Sequence, residues 1–217
     1  MPCICSPNTP DIPDNLKIYH APININYKSS YISNNNHIKY DNHKFNYTFV
    51  ETDNYVNSRT FPVTTDTTTS AIGGGNKLYA NNKVFTLQEF HFHDHQENVI
   101  NGDHNCVSEI HFVFQESPTN YAVLAFIFKL SNHSSKLVRR IKHNKPFKIP
   151  SIKNYYTYSG SLTKVNPSDI PQLAVDWNVN SQYLNITQED LEYFRTNLCR
   201  NSATVQHSNG RNVIYVQ

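Results

Sequence analysis

The sequence lacks the features that mark membrane proteins and nucleic-acid-binding proteins. Its 217 residues contain no uninterrupted apolar run of about 18 residues, the length that a membrane-spanning helix needs. The formal net charge is only +2 and the basic residues are scattered, which argues against nucleic acid and membrane surfaces as partners. Residues 1–5 open no charged-then-apolar signal peptide, so we expect cytoplasmic residence unless a leader has been removed.

Cysteine is also scarce, with four residues in the whole chain: Cys3, Cys5, Cys106 and Cys199. An even number permits pairing, and a bridge from the amino-terminal arm remains open. Free thiols are nevertheless the default expectation for a chain without a secretory signal.

The chain predicts an extended arm followed by a single domain. Four prolines fall within residues 1–17, which favours an arm over a strand or helix. Residues 18–217 are long enough for one core, and β-rich domains of this length are commonly undivided. Segments rich in tyrosine, phenylalanine and β-branched residues predict strands. Two short helices are expected, around residues 134–141 and over residues 188–197 after Thr187 as N-cap.

Among the scattered basic residues there is one cluster, at residues 136–145. We interpret it as a solvated helix face and the loop that follows, and a patch for anions or glycans is the alternative. The basic residues are Lys136, Arg139, Arg140, Lys142 and Lys145.

Three histidines lie in two segments that alternate like strands. His91 and His93 are two apart and so share one face of a strand, and His111 lies in a second alternating segment. If the two strands pair, three imidazoles can converge on one metal ion. Three neutral nitrogens with an open fourth position are typical of a catalytic zinc site. The alternative for a His-x-His pair alone is an ordinary hydrogen-bonded core or surface feature.

Glutamates precede two of these histidines by two residues. Glu89 shares a strand face with His91, and Glu109 shares one with His111. A ligating imidazole needs an acceptor on its other nitrogen, so each carboxylate could orient its neighbour. We prefer this role for Glu109. For Glu89 a solvated charge at a strand end is the alternative.

Ordered motifs run from His20 to Arg211. They are HAPINI at 20–25, FHFH at 90–93, ENVING at 97–102, EIHFV at 109–113, YYTYSGSLT at 155–163 and NGR at 209–211. Together they resemble the motifs of the α-class carbonic anhydrases, and the ENVING segment resembles the short form of bacterial members. The resemblance implies a mostly β fold, in which a central twisted, mainly antiparallel sheet carries a few short peripheral helices.

The resemblance also implies roles for five residues around a Zn²⁺ ion. It makes His91, His93 and His111 the zinc ligands. It places the hydroxyl of Thr163 beside the metal-bound water and Glu97 where the family keeps the carboxylate that receives this hydroxyl's proton. If Thr163 donates to Glu97, its oxygen can only accept, and so it orients the nucleophile. Without the motifs, an ordinary turn threonine and a capping or surface glutamate would be the interpretation.

The same resemblance implies an apolar wall that holds a small, uncharged substrate. For any one of these residues taken alone, plain sheet core is the alternative. The matching positions are Val113, Val123, Leu162, Val175 and Trp177.

Two departures from the family pattern concern charge. Arg59 stands where many members keep a proton-shuttling histidine, and a guanidinium releases no proton near neutral pH. His95 and His104 are the alternative shuttles. Lys164 follows Thr163 and places a cation near the expected bicarbonate site, where it either holds the anion or points outward.

The function that the resemblance implies is zinc-dependent, reversible hydration of carbon dioxide to bicarbonate and a proton. The partner is then a small molecule, and the oligomeric state is left open. The alternative is a catalytically weak relative that binds an acidic glycan or a protein partner. Retention of all three histidines, with Glu97 and Thr163, favours catalysis.

Overall fold

A computed structural model describes most of the chain beyond residue 20. It covers residues 21–27, 30–33, 38–41, 43–52, 55–62, 76–163, 174–200, 202–203, 205 and 210–217, with the side chains of 50–62 and 199–200 left out. The predicted arm at residues 1–17, together with Cys3 and Cys5, therefore lies outside the described residues.

Strands dominate the described residues, as predicted, and two short helices accompany them. In chain order the strands are β1 (Asn24–Ile25), β2 (Tyr31–Ser33), β3 (Lys39–Tyr40), β4 (Phe45–Thr52), β5 (Tyr55–Pro62), β6 (Lys77–Ala80), β7 (Lys83–His93), β8 (Val99–Ile100), β9 (Ser108–Ser117), β10 (Asn120–Leu130), β11 (Tyr155–Gly160), β12 (Ala174–Asn180), β13 (Leu184–Ile186), β14 (Cys199–Arg200) and β15 (Ile214–Val216). The helices are α1 (Lys136–Lys142) and α2 (Gln188–Asn197).

The main sheet has the strand order β2-β15-β11-β12-β10-β9-β7-β6-β3, with β13 beside β10 and β14 beside β7. Its centre, β7-β9-β10, is antiparallel, which confirms the prediction for the strands that carry the histidines. The sheet as a whole is mixed, because β12 and β13 both run parallel to β10. Two small sheets, β1-β8 and β4-β5, lie beside it.

Alternation in β7 sends phenylalanines to one face of the sheet and histidines to the other. Phe90 and Phe92 are fully buried, in a core cluster that also takes in Phe112 of β9. The ring of Phe90 lies 5.1 Å from that of Tyr47 and 5.2 Å from that of Phe147, both edge-on. Burial of each such side chain contributes about 1.5–3 kcal/mol, so this face fixes the register that aims the histidines.

The opposite face carries a second core cluster, which surrounds the histidines. Val123 of β10 and Trp177 of β12 are cross-strand partners, both almost completely buried. Val113, Val175 and Tyr158 belong to the same cluster. The candidate site is therefore built on rigid strands in the middle of the sheet.

Both helices match their predictions closely. Thr187 caps α2, accepting a hydrogen bond from the Asp190 amide, and Leu191 and Phe194 face the core. Helix α1 begins later than expected, with Ser135 as its N-cap. The reason is that the Ser134 hydroxyl is used elsewhere, since it donates to Asp190 Oδ2 at 2.5 Å and so ties α1 to α2.

Cys106 is a buried free thiol, in line with expectation. Burial raises the pKa of Cys106 to about 11, which keeps the group protonated at neutral pH. No helix within the described ranges is both long enough and apolar enough to cross a bilayer.

Candidate metal centre

Three histidines meet on one face of the sheet. His91 and His93 project from β7 and His111 from β9, and the register sets His91 directly across from His111. All three side chains are buried, and one nitrogen of each lies within 4.8 Å of the others. The structure thus brings together the three residues that the sequence predicted as zinc ligands.

Each imidazole has one ring nitrogen next to a carboxylate. His91 Nδ1 lies 3.0 Å from Glu89 Oε1. His93 Nδ1 lies 3.0 Å from Glu97 Oε1, and His111 Nε2 lies 2.9 Å from Glu109 Oε1. A carboxylate can only accept here, so the proton of each neutral ring is held on that nitrogen. The second nitrogen of each neutral ring then carries the lone pair through which an imidazole binds a metal.

The donor set fits a tetrahedral zinc ion. The two remaining nitrogens of the closest pair, His93 Nε2 and His111 Nδ1, lie 3.2 Å apart. Two nitrogens bound tetrahedrally at zinc distances of about 2.0–2.1 Å lie about 3.3–3.4 Å apart, so this pair needs almost no movement. Three neutral nitrogens with oriented rings are the chemistry of a zinc site with an open fourth position.

Glu109 is held by a dense set of donors. Its Oε2 accepts hydrogen bonds from the Glu97 and Asn98 amides, each at 2.7 Å. Its Oε1 accepts from Asn98 Nδ2 at 2.7 Å and also contacts His111. The side chain is fully buried, where an unpaired carboxylate would be costly, and these donors offset that cost. Glu109 thus contacts His111 at the position from which the sequence predicts an orienting role, and that role stays a prediction.

Glu97 lies beneath the histidine cluster and is also fully buried. Its Oε1 accepts a hydrogen bond from the Ala203 amide, besides its contact with His93. The sequence predicted a hydrogen bond from Thr163 to this carboxylate. The contact with His93 gives Glu97 an orienting role as well, and the relay through Thr163 stays a prediction.

Aromatic side chains of the second core cluster pack against the histidine cluster. Trp177 meets the His111 ring edge-on at 5.0 Å and stacks with Tyr158 at 6.0 Å. Tyr158 donates from its hydroxyl to Asn98 Oδ1 at 2.7 Å. Burial raises the pKa of Tyr158 well above its ordinary value, so the hydroxyl keeps the proton that it donates.

A cavity of about 240 Å³ opens beside two of the histidines, His91 and His111. Predicted residues form much of its lining. These are Glu89, Val113, Val123, Leu162, Thr163 and Trp177. The lining also has a polar side, which was not predicted from the sequence. It consists of Gln88, Gln115 and Tyr121. The cavity thus combines an apolar wall with two hydroxyl-bearing side chains, Thr163 and Tyr121, in a lining that includes His91 and His111.

The other predicted residues lie outside this lining. Val175 is buried in the second core cluster behind the wall. Arg59 pairs with Thr48 in the β4-β5 hairpin, and only its backbone is among the described parts of the chain. Lys164 lies outside the described residues. His95 is 64% exposed and His104 is exposed, and neither borders the cavity.

Asn98 and Ala203 are the supporting residues that sequence reasoning missed. Asn98 follows Glu97 directly in the matched ENVING segment, so that motif offered a signal for it. Ala203 acts through its backbone amide, and a backbone amide cannot be predicted from a pattern of side chains in the sequence.

Comparison with known proteins agrees with this geometry. Residues 16–217 match the family model of the eukaryotic-type carbonic anhydrases. A carbonic anhydrase of Neisseria gonorrhoeae is 32% identical over 156 residues, which are 65% of this chain and 60% of the relative. One from Pectobacterium carotovorum is 28% identical over 160 residues, 66% of this chain and 64% of the relative. The matched region thus spans less than two thirds of these curated relatives.

Solved structures show the same fold. The α-carbonic anhydrase of Photobacterium profundum superposes with a TM-score of 0.74 at 21% identity, covering 91% of this chain and 89% of the other. The α-carbonic anhydrase of Thermovibrio ammonificans, in complex with the inhibitor sulfanilamide, gives 0.68 at 25% identity, covering 91% and 87%. Because the family model spans nearly the whole sequence, the chain belongs to the eukaryotic-type carbonic anhydrase family.

Proposed function

We propose that the protein catalyses the zinc-dependent, reversible hydration of carbon dioxide to bicarbonate and a proton. The observation that carries the proposal is the cluster of three buried, carboxylate-oriented imidazoles beside a cavity with an apolar wall. A zinc ion bound by three neutral imidazoles supplies a nucleophile at neutral pH by lowering the pKa of water to about 7.

The protein's first task in this reaction is to hold the metal in one geometry. His91, His93 and His111 would bind it through the second nitrogen of each ring, which is Nε2 in His91 and His93 and Nδ1 in His111. Glu89, Glu97 and Glu109 fix the tautomer and orientation of these rings, and they raise the basicity of the ligating nitrogens.

The apolar wall would receive carbon dioxide. Val123 and Trp177 are almost completely buried, and Val113 and Leu162 complete a wall that offers the uncharged substrate a dry surface. Bicarbonate is charged and gains nothing from such a wall, so the wall favours its departure.

Proton release is the step for which the cavity is poorly equipped. Among the described lining residues, the only histidines are the two of the cluster, His91 and His111. Arg59, at the position where many members keep the shuttle, cannot titrate near neutral pH. We therefore infer that regeneration of the nucleophile depends on an external proton acceptor.

Replacing His111 by alanine tests the proposed function. We expect the wild-type protein to hold one zinc ion and to hydrate carbon dioxide, and His111→Ala to lose both the metal and the activity. Zinc content and hydration are measured on the same samples, with His143→Ala, at an exposed histidine that follows α1, as the control that retains both. One zinc ion per wild-type chain without hydration would favour the alternative, a binding protein of this fold.

Substitutions of Thr163 test whether this residue orients the nucleophile or helps to hold the metal. Thr163→Ala should keep zinc and lower hydration on the order of 10²-fold, the usual loss when one aligned polar group is removed. Thr163→Ser, which retains the hydroxyl, should recover most of the activity. Unchanged hydration in Thr163→Ala would remove the residue from the mechanism, and a parallel loss of zinc would make its role structural.

Buffer dependence tests the inferred lack of a shuttle. At fixed pH and ionic strength, raising the concentration of an imidazole buffer should increase turnover, because proton removal limits the rate. At low buffer, Arg59→His should increase turnover on the order of tenfold, since a titrating group then stands at the shuttle position. Arg59→Gln serves as the control without gain. Full turnover of the wild type at low buffer would contradict the inference.

A further inference from the structure

A second cavity, of about 430 Å³, lies against the phenylalanine-rich core cluster, away from the histidines. Helix α1 and residues 146–151 form most of its lining, and Leu184 of β13 completes it. Its apolar wall includes Leu137, Phe147 and Ile149, all buried members of that cluster. Phe147 packs edge-on against Phe45, with ring centroids 4.7 Å apart, so this wall is fixed by the core.

Four cations border this cavity, and none of its described lining residues is a carboxylate. They are Lys44, Lys136, Arg140 and Lys148. Within the described part of the chain, none of the four takes part in an ion pair. Lys142, also on α1, shows the contrast, because it pairs with Glu189 at 2.8 Å and with Asp190 at 2.5 Å. Glu189 and Asp190 therefore compensate Lys142, and no acid in the described part of the chain pairs with the four cations at the cavity.

Ser135 adds a polar group to the lining. Its Oγ is buried, has no hydrogen-bond partner and makes no capping bond to α1. Rotation about a single bond turns this hydroxyl, so a ligand in the cavity could give it the partner that it lacks. Cations, a hydroxyl and an apolar wall together form the kind of lining that binds small organic molecules.

We propose that this cavity binds a small organic anion with an apolar body, such as an aromatic carboxylate. The apolar body would rest on Leu137, Phe147 and Ile149, and the carboxylate would face Arg140 and Lys148. An inorganic anion would use only the cations, and a wholly polar glycan would gain nothing from the apolar wall. A volume of about 430 Å³ accommodates a molecule the size of naphthoate.

The test uses 2-naphthoate, with the neutral 2-naphthamide as its matched control. In isothermal titration, naphthoate should bind in saturable fashion, and the amide at least about tenfold more weakly, because it lacks the charge-assisted contacts. Arg140→Gln and Lys148→Gln should each weaken naphthoate about three- to tenfold and leave the amide unchanged. Lys83→Gln, which removes an exposed cation on β7, is the matched surface control and should bind like the wild type.

Methyl NMR places the ligand independently of the metal centre. Signals of Leu137 and Ile149 should shift on titration with naphthoate, while those of Val113 and Val123, in the other cavity, should not. Equal affinity for the amide, unchanged binding in both cavity variants, or shifts confined to Val113 and Val123 would overturn the proposal. Since hydration is not a readout, failure of this proposal leaves the proposed function untouched, and the reverse also holds.

Discussion

The buried carboxylate of Glu109 is the constraint on which the candidate site depends. A fully buried carboxylate must be supplied with donors, and two backbone amides, the Asn98 amide group and His111 supply them. Satisfying this one side chain fixes the loop at residues 97–98 against β9. It also leaves His111 a single orientation, with Nδ1 turned toward His93.

The contacts around Glu109 close into a ring. His111 contacts Trp177, and Trp177 stacks with Tyr158. Tyr158 donates a hydrogen bond to Asn98, which in turn donates one to Glu109. Every member is buried. Strand β9 contributes Glu109 and His111, β11 contributes Tyr158, β12 contributes Trp177, and the loop contributes Asn98. Such a closed set of contacts resists the small displacements of His111 to which metal binding would be sensitive.

The sequence predicted the parts of the site that alternation and adjacency control. His91, His93 and Glu89 lie on one strand at spacings of two, and residues that share a strand face must point the same way. Glu109 and His111 follow the same rule on β9. The positions of Thr163 and Trp177 followed from the resemblance alone, and the structure lines the cavity with both.

Contacts between distant parts of the chain were beyond sequence reasoning. The Ala203 amide reaches Glu97 across more than a hundred residues, and no pattern of side chains encodes that pairing. The basic residues of α1 were interpreted as a solvated face, with an anion patch as the alternative. Whether a cation is compensated depends on tertiary neighbours. Among the described residues, Lys142 has carboxylate partners and Arg140 has none.

The zinc affinity of a Glu109→Gln variant tests this account most directly. Glutamine keeps the size of the side chain but loses the charge and one acceptor oxygen, so it cannot satisfy the amides of residues 97–98 and orient His111 together. By competition with a chelator, we expect zinc to dissociate about 10–100-fold more readily than from the wild type, the usual loss when a ligand's hydrogen-bond partner is changed. Glu192→Gln, at an exposed glutamate of α2, should match the wild type. Wild-type zinc affinity in Glu109→Gln would contradict the central role of this carboxylate.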